Sequence, residues 1–554
     1  MIPMFQRLLL ITLLLSFCTP CLAIAQPVSA GLSLALEQLL RPEAAPPQLL
    51  QGASWFPLNE QVRNFYQLRD YQPVWLSDRG AATQLPLLVE ALRASSDEGL
   101  CPDRYQLQTL EGYLALWAQS GRRGQVLTQP WQPQFELLLT QAYFRYASDL
   151  IGGQIEPSKV NPDWRLPPRE ADLGKLLTYA LESGRLDAVL RDLVPSHPGY
   201  LRLRQALAHY RELAARGGWE PFPGGETLRP GKPDPRMPQL RLRLAVEGDY
   251  PEWNGHEGPK VFDAETVQAL KRFQQRQGLA IDGVLGPRTL AELNITAHQR
   301  VRQIELSLER WRWLPKSLGD RYLMVNIAGF QLQVVENDQV ALEMPVIVGT
   351  GYRKTPVFSA RMTYLEFAPT WSVPPTILRE DKLPKIKANP AYLTEHHFEI
   401  IPYAGRGGAP LNPASIDWSR TTARNFPGML RMRPGPWNPL GRVKFMFPNP
   451  YSVYLHDTNE RHLFDNNIRT FSSGCIRIQR PDELALYLLE PDGWDAARVE
   501  AAMALPRTKR VDLSRSLPVH ILYWTAWVDQ QNRVQFRRDL YQQDLDLEFA
   551  LAAR

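Results

Sequence analysis

Cysteine is scarce in this sequence. Its 554 residues contain four cysteines, and two of them, Cys18 and Cys21, lie close to the N-terminus. A scaffold held by disulfides needs many closely spaced cysteines, so that class of protein is excluded. Cys101 and Cys475 are left, and either they pair or at least one of them is a functional thiol. The residues around Cys475 favour the second interpretation, and we expect Cys101 to be buried and inert.

A strong charge of either sign is also lacking. The chain has 63 Lys and Arg residues against 58 Asp and Glu residues, a net charge of +5, and the basic residues are scattered. Nucleic-acid-binding proteins usually concentrate basic residues on one surface, so nucleic acid is not an expected partner. With 44% hydrophobic residues the chain should form packed cores. Its length predicts three or four domains of about 150 residues each.

Long hydrophobic runs are missing after the N-terminus. At the N-terminus itself, Arg7 precedes an apolar stretch over residues 8–17 and a small-x-small triplet that ends at Ala25. This is the layout of a secretory signal peptide, and the stretch is shorter than the roughly 20 residues that cross a bilayer. We therefore expect residues 1–25 to be a signal peptide and the protein to be exported. An uncleaved segment that anchors the chain in a membrane is the alternative.

The residues that follow predict mainly helices. Apolar residues recur at helical spacing from Leu85 to Leu92 and from Phe135 to Ile151. The segment Gly217 to Pro238 is rich in Gly and Pro, which is typical of a linker. We assign residues 30–235 to a helical scaffold domain.

A small helical unit is predicted over residues 236–296. Asp263 can cap a helix that Gly278 ends, Asp282 begins a tight turn with the following glycine, and Pro287 opens another helix. The apolar residues of the first of these helices lie on one face: Val267, Leu270 and Phe273.

The C-terminal half predicts a β-rich domain over residues 321–540, joined to the small unit by a helix within residues 297–320. Short segments of β-branched and aromatic residues alternate with Gly, Asn and Asp. The predicted strands are Tyr322–Ala328, Gln331–Glu336, Val340–Val348, Leu517–Val528 and Arg533–Phe536. A long stretch at about 375–435, rich in Pro, Gly and Arg, is expected to contain a lid over a functional site. The fold class is therefore multidomain α+β.

Two short motifs contain residues suited to acyl transfer. Tyr454-Leu-His456-Asp-Thr is followed by Phe471-Ser-Ser-Gly-Cys475-Ile-Arg477. A thiol attacks a carbonyl as the thiolate, and a neighbouring imidazole can take its proton and hold the thiolate as an ion pair. The backbone N–H of Cys475 and a neighbouring one can stabilise the oxyanion that forms. Arg477 is suited to meet a carboxylate.

The segment from Tyr454 to Leu489 resembles the signature of the YkuD-type L,D-transpeptidase family, in which a His precedes a Ser/Thr-x-Gly-Cys motif. The resemblance extends upstream to residues 369–374 and 434–444. Residues 266–290 resemble the three-helix peptidoglycan-binding domain. The order of signal, helical scaffold, binding domain and catalytic domain resembles the large periplasmic, YcbB-like branch of the family.

The resemblance implies roles for individual residues. Cys475 would be the nucleophile and His456 the general base and acid, with the backbone at Ser473 and Gly474 orienting the imidazole and helping to form an oxyanion hole. Much of the family has His where this chain has Ser473, which leaves His456 as the base of the motif. The residues expected to shape the substrate site are Arg477, Tyr454, Trp371 and Asn438. No cofactor and no metal are expected.

The implied reaction cross-links peptidoglycan stems. A tetrapeptide stem would form a thioester on Cys475 with release of D-Ala, and a second stem would accept the acyl group in a 3→3 cross-link. The expected partners are peptidoglycan and other cell-wall synthesis enzymes, the expected location is the periplasm, and carbapenems are expected to acylate the thiol.

Three alternatives stay open. The same residues could hydrolyse stem peptides or attach a lipoprotein to the wall, or the chain could bind the wall without catalysis. A zinc peptidase is a further alternative, although the sequence has no H-E-x-x-H motif. Its candidate ligands would be His396, His397, His456 and His462.

Overall fold

A computed structural model describes most of the chain after residue 29. The described residues are 30–41, 60–77, 80–81, 83–122, 130–162, 164, 166, 169–251, 258–403 and 409–553. The predicted signal peptide lies outside them. Among the described helices, none has the length and apolar character to cross a membrane. The chain divides into two compact units, Met1–Pro86 with Gln108–Gln141 and Leu87–Leu107 with Ala142–Arg554.

The N-terminal part is helical, as the sequence predicts. Its elements are α1 (Ala30–Leu40), α2 (Glu60–Gln67), β1 (Leu76–Ser77), β2 (Gly80–Ala81), α3 (Leu85–Arg93), α4 (Leu107–Arg122), α5 (Gln132–Gly152), α6 (Pro157–Val160), α7 (Leu173–Ser183), α8 (Leu186–Leu193) and α9 (Pro198–Ala215). The apolar repeat that predicts α3 is buried, and α5 covers the second predicted helix with a few residues more at its N-terminus. The helical prediction is therefore confirmed.

The predicted small unit contains three helices, α10 (Met237–Val246), α11 (Ala264–Arg276) and α12 (Pro287–Leu293). The Asp263 carboxylate accepts the Thr266 N–H at 2.8 Å and so caps α11. Gly278 follows that helix with φ +66°, a conformation that favours glycine. The predicted apolar face of α11 is buried in the core of this unit.

Helix α13 (Ala297–Arg312) follows, and it ends eight residues before the predicted link does. A capping box between Thr296 and Gln299 begins it. Near its end, the buried Glu309 carboxylate accepts the N–H of Ile155 at 3.0 Å and pairs with Arg312 at 2.7 Å. Arg312 is fully buried and also donates to the Glu98 carbonyl at 2.7 Å. One buried ion pair therefore joins α13 to two segments of the helical region.

The C-terminal domain is mainly β-structure with short helices. Its elements are β3 (Arg321–Asn326), β4 (Gln331–Glu336), β5 (Gln339–Gly349), β6 (Phe358–Phe367), β7 (Trp371–Ser372), α14 (Pro375–Ile377), α15 (Leu383–Ala388), α16 (Tyr392–Glu395), β8 (Phe398–Pro402), β9 (Gly428–Met432), β10 (Val443–Met446), β11 (Leu455–His456), β12 (Thr470–Ser472), β13 (Ile476–Ile478), α17 (Pro481–Leu489), α18 (Ala496–Met503), β14 (Lys509–Leu522), β15 (Ala526–Val528), β16 (Val534–Phe536) and α19 (Gln543–Ala552).

Nine of these strands form one sheet in the order β12-β5-β13-β11-β10-β6-β14-β3-β4, and β4 also pairs with β5. The extra pairing makes the sheet close on itself. Successive side chains of a strand point to opposite faces. One face is apolar, because Leu365, Phe445 and Leu455 are cross-strand neighbours with no exposed surface. The other face carries the polar residues between them.

The strand predictions hold with two differences. The predicted strand Leu517–Val528 is divided, because the chain turns after Leu522, where the Trp524 N–H donates to the Asn326 side chain at 3.1 Å. Its first part, β14, begins earlier, at Lys509. Helix α19 is an element that the sequence reading did not include.

The stretch expected to contain a lid is a folded insertion in the residues that the structure describes. We call residues 371–432 the capping segment. In its described part, β7, β9 and β8 form a separate sheet, and three short helices precede β8. It has its own apolar core, which includes Leu378, Ile386 and Leu430.

The buried pair in α13 gives the first prediction. Replacing Glu309 with Ala leaves the Arg312 guanidinium buried without its partner, which typically costs about 3–5 kcal/mol. We expect the free energy of unfolding of the second unit to fall by about this amount in urea denaturation. The control is Glu182→Ala, which removes the same side chain from an exposed position on α7. Equal stability of the two variants would contradict the assignment.

Candidate active site

Cys475 lies in a tight loop between β12 and β13. The preceding Gly474 has φ +113°, which side-chain-bearing residues rarely adopt. A Cβ at this position would meet only the Lys354 carbonyl, at 3.5 Å. The backbone conformation, and not a lack of space, is therefore what requires glycine beside the nucleophile candidate.

Hydrogen bonds hold this loop in place. The Ser472 hydroxyl accepts the Gly474 N–H at 3.2 Å and donates to the Cys475 carbonyl at 2.5 Å. The Gly474 carbonyl accepts from the Thr355 hydroxyl at 2.9 Å. Because its N–H already has a partner, Gly474 is not a free donor for an oxyanion in this conformation. The Ser473 hydroxyl accepts from Arg353 at 3.0 Å.

His456 is buried on the strand next to the loop. Its Nδ1 lies 2.5 Å from the Asp457 carbonyl. A carbonyl can only accept, so this contact assigns the hydrogen to Nδ1 and leaves Nε2 as the basic nitrogen. The Asp457 carboxylate accepts the Arg442 N–H at 2.9 Å, which ties the residue after the imidazole to the neighbouring loop.

Strand pairing places the two motif residues on one face. β11 and β13 are parallel, with His456 opposite Arg477, and the Ile476 N–H donates to the Tyr454 carbonyl at 3.1 Å. Since residues two apart share a face, Tyr454, which directly precedes β11, and His456 lie beside Cys475 and Arg477 of the neighbouring segment. The structure brings together four of the predicted site residues.

Two cations flank the imidazole. Arg477 is its neighbour on β13, and Lys444 is its neighbour on β10. Each cation has a carboxylate partner: Arg477 pairs with Glu460 at 2.6 Å and Lys444 with Glu366 at 2.7 Å. Burial above all, then Arg477 and Lys444, lowers the pKa of His456 to about 3. The imidazole is therefore neutral at neutral pH.

The thiol is also in its neutral form. Burial raises the pKa of Cys475, while hydrogen bonds from Tyr454 and the charges of Lys444 and Arg477 oppose that rise. The Cys475 Sγ lies 3.7 Å from the Ser452 carbonyl, a contact that suits an S–H donor. The sequence suggested a thiolate–imidazolium pair, but an imidazolium between two cations is unfavourable. The resting pair is a thiol and a neutral imidazole.

Tyr454 connects this site to the capping segment. Its hydroxyl bonds to the Cys475 sulfur, and the Lys444 ammonium lies 5.3 Å from its ring centroid. Its ring packs against the main core of the domain and against the core of the capping segment. A single side chain thus contacts the sulfur, a cation and the insertion above the sheet.

Two of the predicted substrate residues are engaged in packing. Trp371 is buried in the core of the capping segment. Asn438 has no exposed surface, and its amide donates to the Pro369 carbonyl at 2.9 Å and accepts the Leu440 N–H at 2.9 Å. A direct contact between Asn438 and a substrate would require this loop to open.

The structure adds residues that the sequence reading did not single out. Arg353 donates to Asp381 at 2.9 Å and to Glu380 at 2.6 Å, as well as to Ser473. It therefore links the loop that carries Cys475 to the capping segment. Lys444, noted only as part of a motif, proves to be a neighbour of the imidazole. The contacts of Arg353 and of Lys444 are made across different strands and loops, so no local sequence pattern indicates them.

The remaining cysteine and the metal candidates give simpler results. Cys101 is a free thiol and is exposed, so the expectation that it is buried is wrong. Cys475 is free as well. Among the residues described here, no cluster of three or more His, Cys, Asp and Glu side chains could hold a metal ion.

The flanking cations give the second prediction. Replacing Lys444 with Met removes a charge that favours the thiolate, so the pKa of Cys475 rises and alkylation by iodoacetamide shifts to higher pH. The measurement is the pH dependence of alkylation in a Cys101→Ser background, followed by mass spectrometry. Lys387→Met, at an exposed position of the capping segment, is the control. An unchanged or lower midpoint for Lys444→Met would contradict the proposed electrostatics.

Comparison with known proteins assigns three parts of the chain to families. Residues 60–207 match a "Scaffold domain", residues 234–293 a "Putative peptidoglycan binding domain", and residues 320–500 the YkuD "L,D-transpeptidase catalytic domain". A curated relative from Haemophilus influenzae, named "Putative L,D-transpeptidase", is 35% identical over 262 residues. That match covers 47% of this chain and 51% of the relative, so the chain spans about half the length of the curated relative it matches.

Two solved structures of L,D-transpeptidases also align with this chain. The one from Xylanimonas cellulosilytica is 15% identical with a TM-score of 0.17, and the alignment covers 54% of this chain and 99% of that structure's chain. The one from Stackebrandtia nassauensis is 14% identical with a TM-score of 0.23, and the alignment covers 55% of this chain and 97% of that structure's chain. Scores this low carry no structural argument. The family matches, together with the fold and the motifs, show that the chain contains a YkuD-type L,D-transpeptidase catalytic domain together with a peptidoglycan-binding domain.

Proposed function

We propose that this protein is an exported peptidoglycan L,D-transpeptidase that forms 3→3 cross-links through a thioester on Cys475. The observation that carries the proposal is the placement of Cys475 and His456 on one face of neighbouring parallel segments, in a domain of this family. The imidazole has one basic nitrogen, because Nδ1 is bound to the Asp457 carbonyl.

The first half of the reaction is acylation. Nε2 of His456 takes the thiol proton as the Cys475 sulfur attacks the carbonyl of the third, diamino-acid residue of a tetrapeptide stem. The tetrahedral intermediate collapses, the peptide C–N bond breaks, and the leaving D-Ala amine takes the proton from His456. The acyl group stays on sulfur as a thioester.

The second half transfers the acyl group. The side-chain amine of a diamino acid on another stem attacks the thioester, and His456 accepts a proton from this amine. The C–S bond breaks, and the sulfur recovers a proton from His456. Atoms and charges balance over the two steps, the peptide bond energy is kept in the thioester, and this chain's own side chains supply every proton transfer. No cofactor enters the proposal.

The low pKa of His456 has a direct role in this scheme. Burial first, and then the charges of Arg477 and Lys444, make the His456 imidazolium a strong acid, so it passes its proton readily to the leaving amine. The same two cations stabilise negative charge on the sulfur. The cations therefore oppose a long-lived ion pair and favour the forward transfer of the proton.

The capping segment supports transfer to an amine over hydrolysis. Arg353 holds its acidic residues Glu380 and Asp381 next to Ser473 on the nucleophile loop. We propose that this segment acts as the lid, excluding water from the thioester until an acceptor amine binds. Hydrolysis of stems and attachment of a lipoprotein use the same acyl-transfer chemistry as cross-linking. Analysis of the products distinguishes these three reactions.

The wider setting follows from the same domains. A peptidoglycan-binding domain and a transpeptidase domain act on peptidoglycan, which lies outside the cytoplasmic membrane. We propose a periplasmic location, membership of the YcbB-like branch, and association with other cell-wall synthesis enzymes. A protein that only binds the wall would have no use for the arrangement around Cys475.

The direct test uses Cys475→Ala beside the wild-type protein. We expect the wild type to release D-Ala from disaccharide tetrapeptides, to form dimers, and to gain one covalent adduct with a carbapenem. We expect the variant to do none of these. Liquid chromatography with mass spectrometry reads all three. Cys101→Ser is the matched control, because it removes the exposed thiol and should keep full activity. Cross-linking by Cys475→Ala at the wild-type rate would refute the mechanism.

The lid has a separate test. Replacing Arg353 with Met removes both ion pairs to the capping segment, so water should reach the thioester more often. We expect the ratio of tripeptide to cross-linked dimer to rise by about threefold or more, the modest effect typical of exposed ion pairs. The control is Arg379→Met, because Arg379 pairs with Glu380 but does not reach the nucleophile loop. Equal product ratios in the two variants would show that these ion pairs do not exclude water.

A further inference from the structure

A polar cleft lies apart from Cys475, and none of its lining residues belongs to the site described above. Its volume is about 510 Å³, and it lies between β4, β5, the β15–β16 hairpin and one residue of α11. The lining carboxylates are engaged within the cleft, Glu343 with Gln333 and Asp529 with Arg533. Six of the nineteen lining residues are glutamines: Gln275, Gln331, Gln333, Gln530, Gln531 and Gln535. An amide side chain carries both donors and acceptors, which suits the hydroxyl and N-acetyl groups of a sugar.

An aromatic ring belongs to the same cleft. Trp527 is half-buried, and the guanidinium of Arg537 lies 4.8 Å from its ring centroid. A Cβ at Gly329 would lie 3.0 Å from the ring, so the glycine leaves room for it. A tryptophan face beside amides and cations is a surface on which a polar ligand with apolar C–H faces can lie.

Two arginines in the cleft have no carboxylate partner. Arg469 donates to the carbonyls of Phe330 and Val346, both at 3.1 Å, and Arg537 donates to the Arg276 carbonyl at 2.7 Å. Within the described residues, neither forms an ion pair with a carboxylate. Burial lowers the pKa of both to about 10, and for Arg537 the charge of Arg469 adds to the effect. Neighbouring, partly desolvated cations favour an anionic ligand.

The cleft continues onto the peptidoglycan-binding domain. A second cavity, of about 730 Å³, shares Phe330 and Arg537 with the first and extends along residues 277–280 and 286–289 of that domain. The two cavities therefore meet at the same arginine. We call the two cavities together the groove, which is lined by both domains.

The two sides of the groove are joined directly. Arg276 at the end of α11 donates to the Val534 carbonyl at 3.1 Å, and Arg537 donates back to the Arg276 carbonyl. The Arg300 guanidinium on α13 lies 4.5 Å from the Phe536 ring centroid. These contacts hold the binding domain against the β15–β16 hairpin, so the groove is one built surface.

From these features we infer that the groove binds a glycan strand of peptidoglycan. Sugars contact Trp527 and the glutamines, and a carboxylate of an attached stem lies at Arg469 and Arg537. The inference extends the ligand surface from the binding domain onto the catalytic domain. It rests on the proposed function only in taking peptidoglycan as the ligand.

The test measures binding of soluble, uncross-linked oligomers of disaccharide tetrapeptide to the full chain carrying Cys475→Ala, which prevents turnover. We expect the double variant Gln331→Ala, Gln530→Ala to lose about tenfold in affinity, as two hydrogen bonds of ordinary strength would give. Trp527→Ala should lose at least as much. Both glutamines are exposed or half-buried, so their replacement should leave the fold intact. Gln205→Ala, exposed on α9, is the control.

Two further measurements separate the possible outcomes. Amidation of the stem carboxylates should weaken binding to the chain that carries Cys475→Ala alone. In the same chain with Arg469→Gln added, amidation should have little further effect on binding. Release of D-Ala from a free tetrapeptide without sugars should be unchanged in the double glutamine variant with Cys475 restored. Affinities equal to the Gln205→Ala control would overturn the inference. Absence of D-Ala release from the chain with Cys475 intact, with binding still dependent on the groove, would refute the proposed function and leave the groove supported.

Discussion

The position of His456 between Arg477 and Lys444 determines the chemistry of this site. Three adjacent strands place these side chains in one row on the polar face of the sheet. The row depends on register, because a shift of one residue on any strand would move its charge to the apolar face. The apolar neighbours Phe445, Leu455 and Ile476 fix that register by their complete burial. Core packing on one face thus fixes which charges lie beside the buried imidazole on the other.

The surrounding loops act on the same residues. The carbonyl of Asp457 selects the tautomer of His456, and the hydroxyls of Ser472 and Thr355 hold the unusual backbone of Gly474. With a neutral thiol and a neutral imidazole at rest, the proposed reaction forms the thiolate only as the sulfur attacks. Such a site avoids an exposed thiolate, which would oxidise readily.

Elements that depend on short sequence patterns could be predicted. The cap at Asp263, the apolar face of α11 and the strand Gln331–Glu336 all follow from short patterns, and the structure confirms them. The internal fold of the capping segment could not be predicted, because its apolar residues are separated by Pro, Gly and Arg and form a core only after the chain folds back. Lys444 and Arg353 could not be identified for the same reason, since the chain separates each from its partners in the site. Their importance comes from strand pairing and long-range contacts.

The contacts between Arg276, Val534 and Arg537 have a geometric consequence. They leave the peptidoglycan-binding domain little freedom to move against the sheet that carries Cys475. A glycan strand bound at the groove as proposed would therefore hold its stems at a fixed distance from Cys475. On a polymer with stems at regular spacing, the stem that reacts would then be selected by the distance of that stem from the bound sugars.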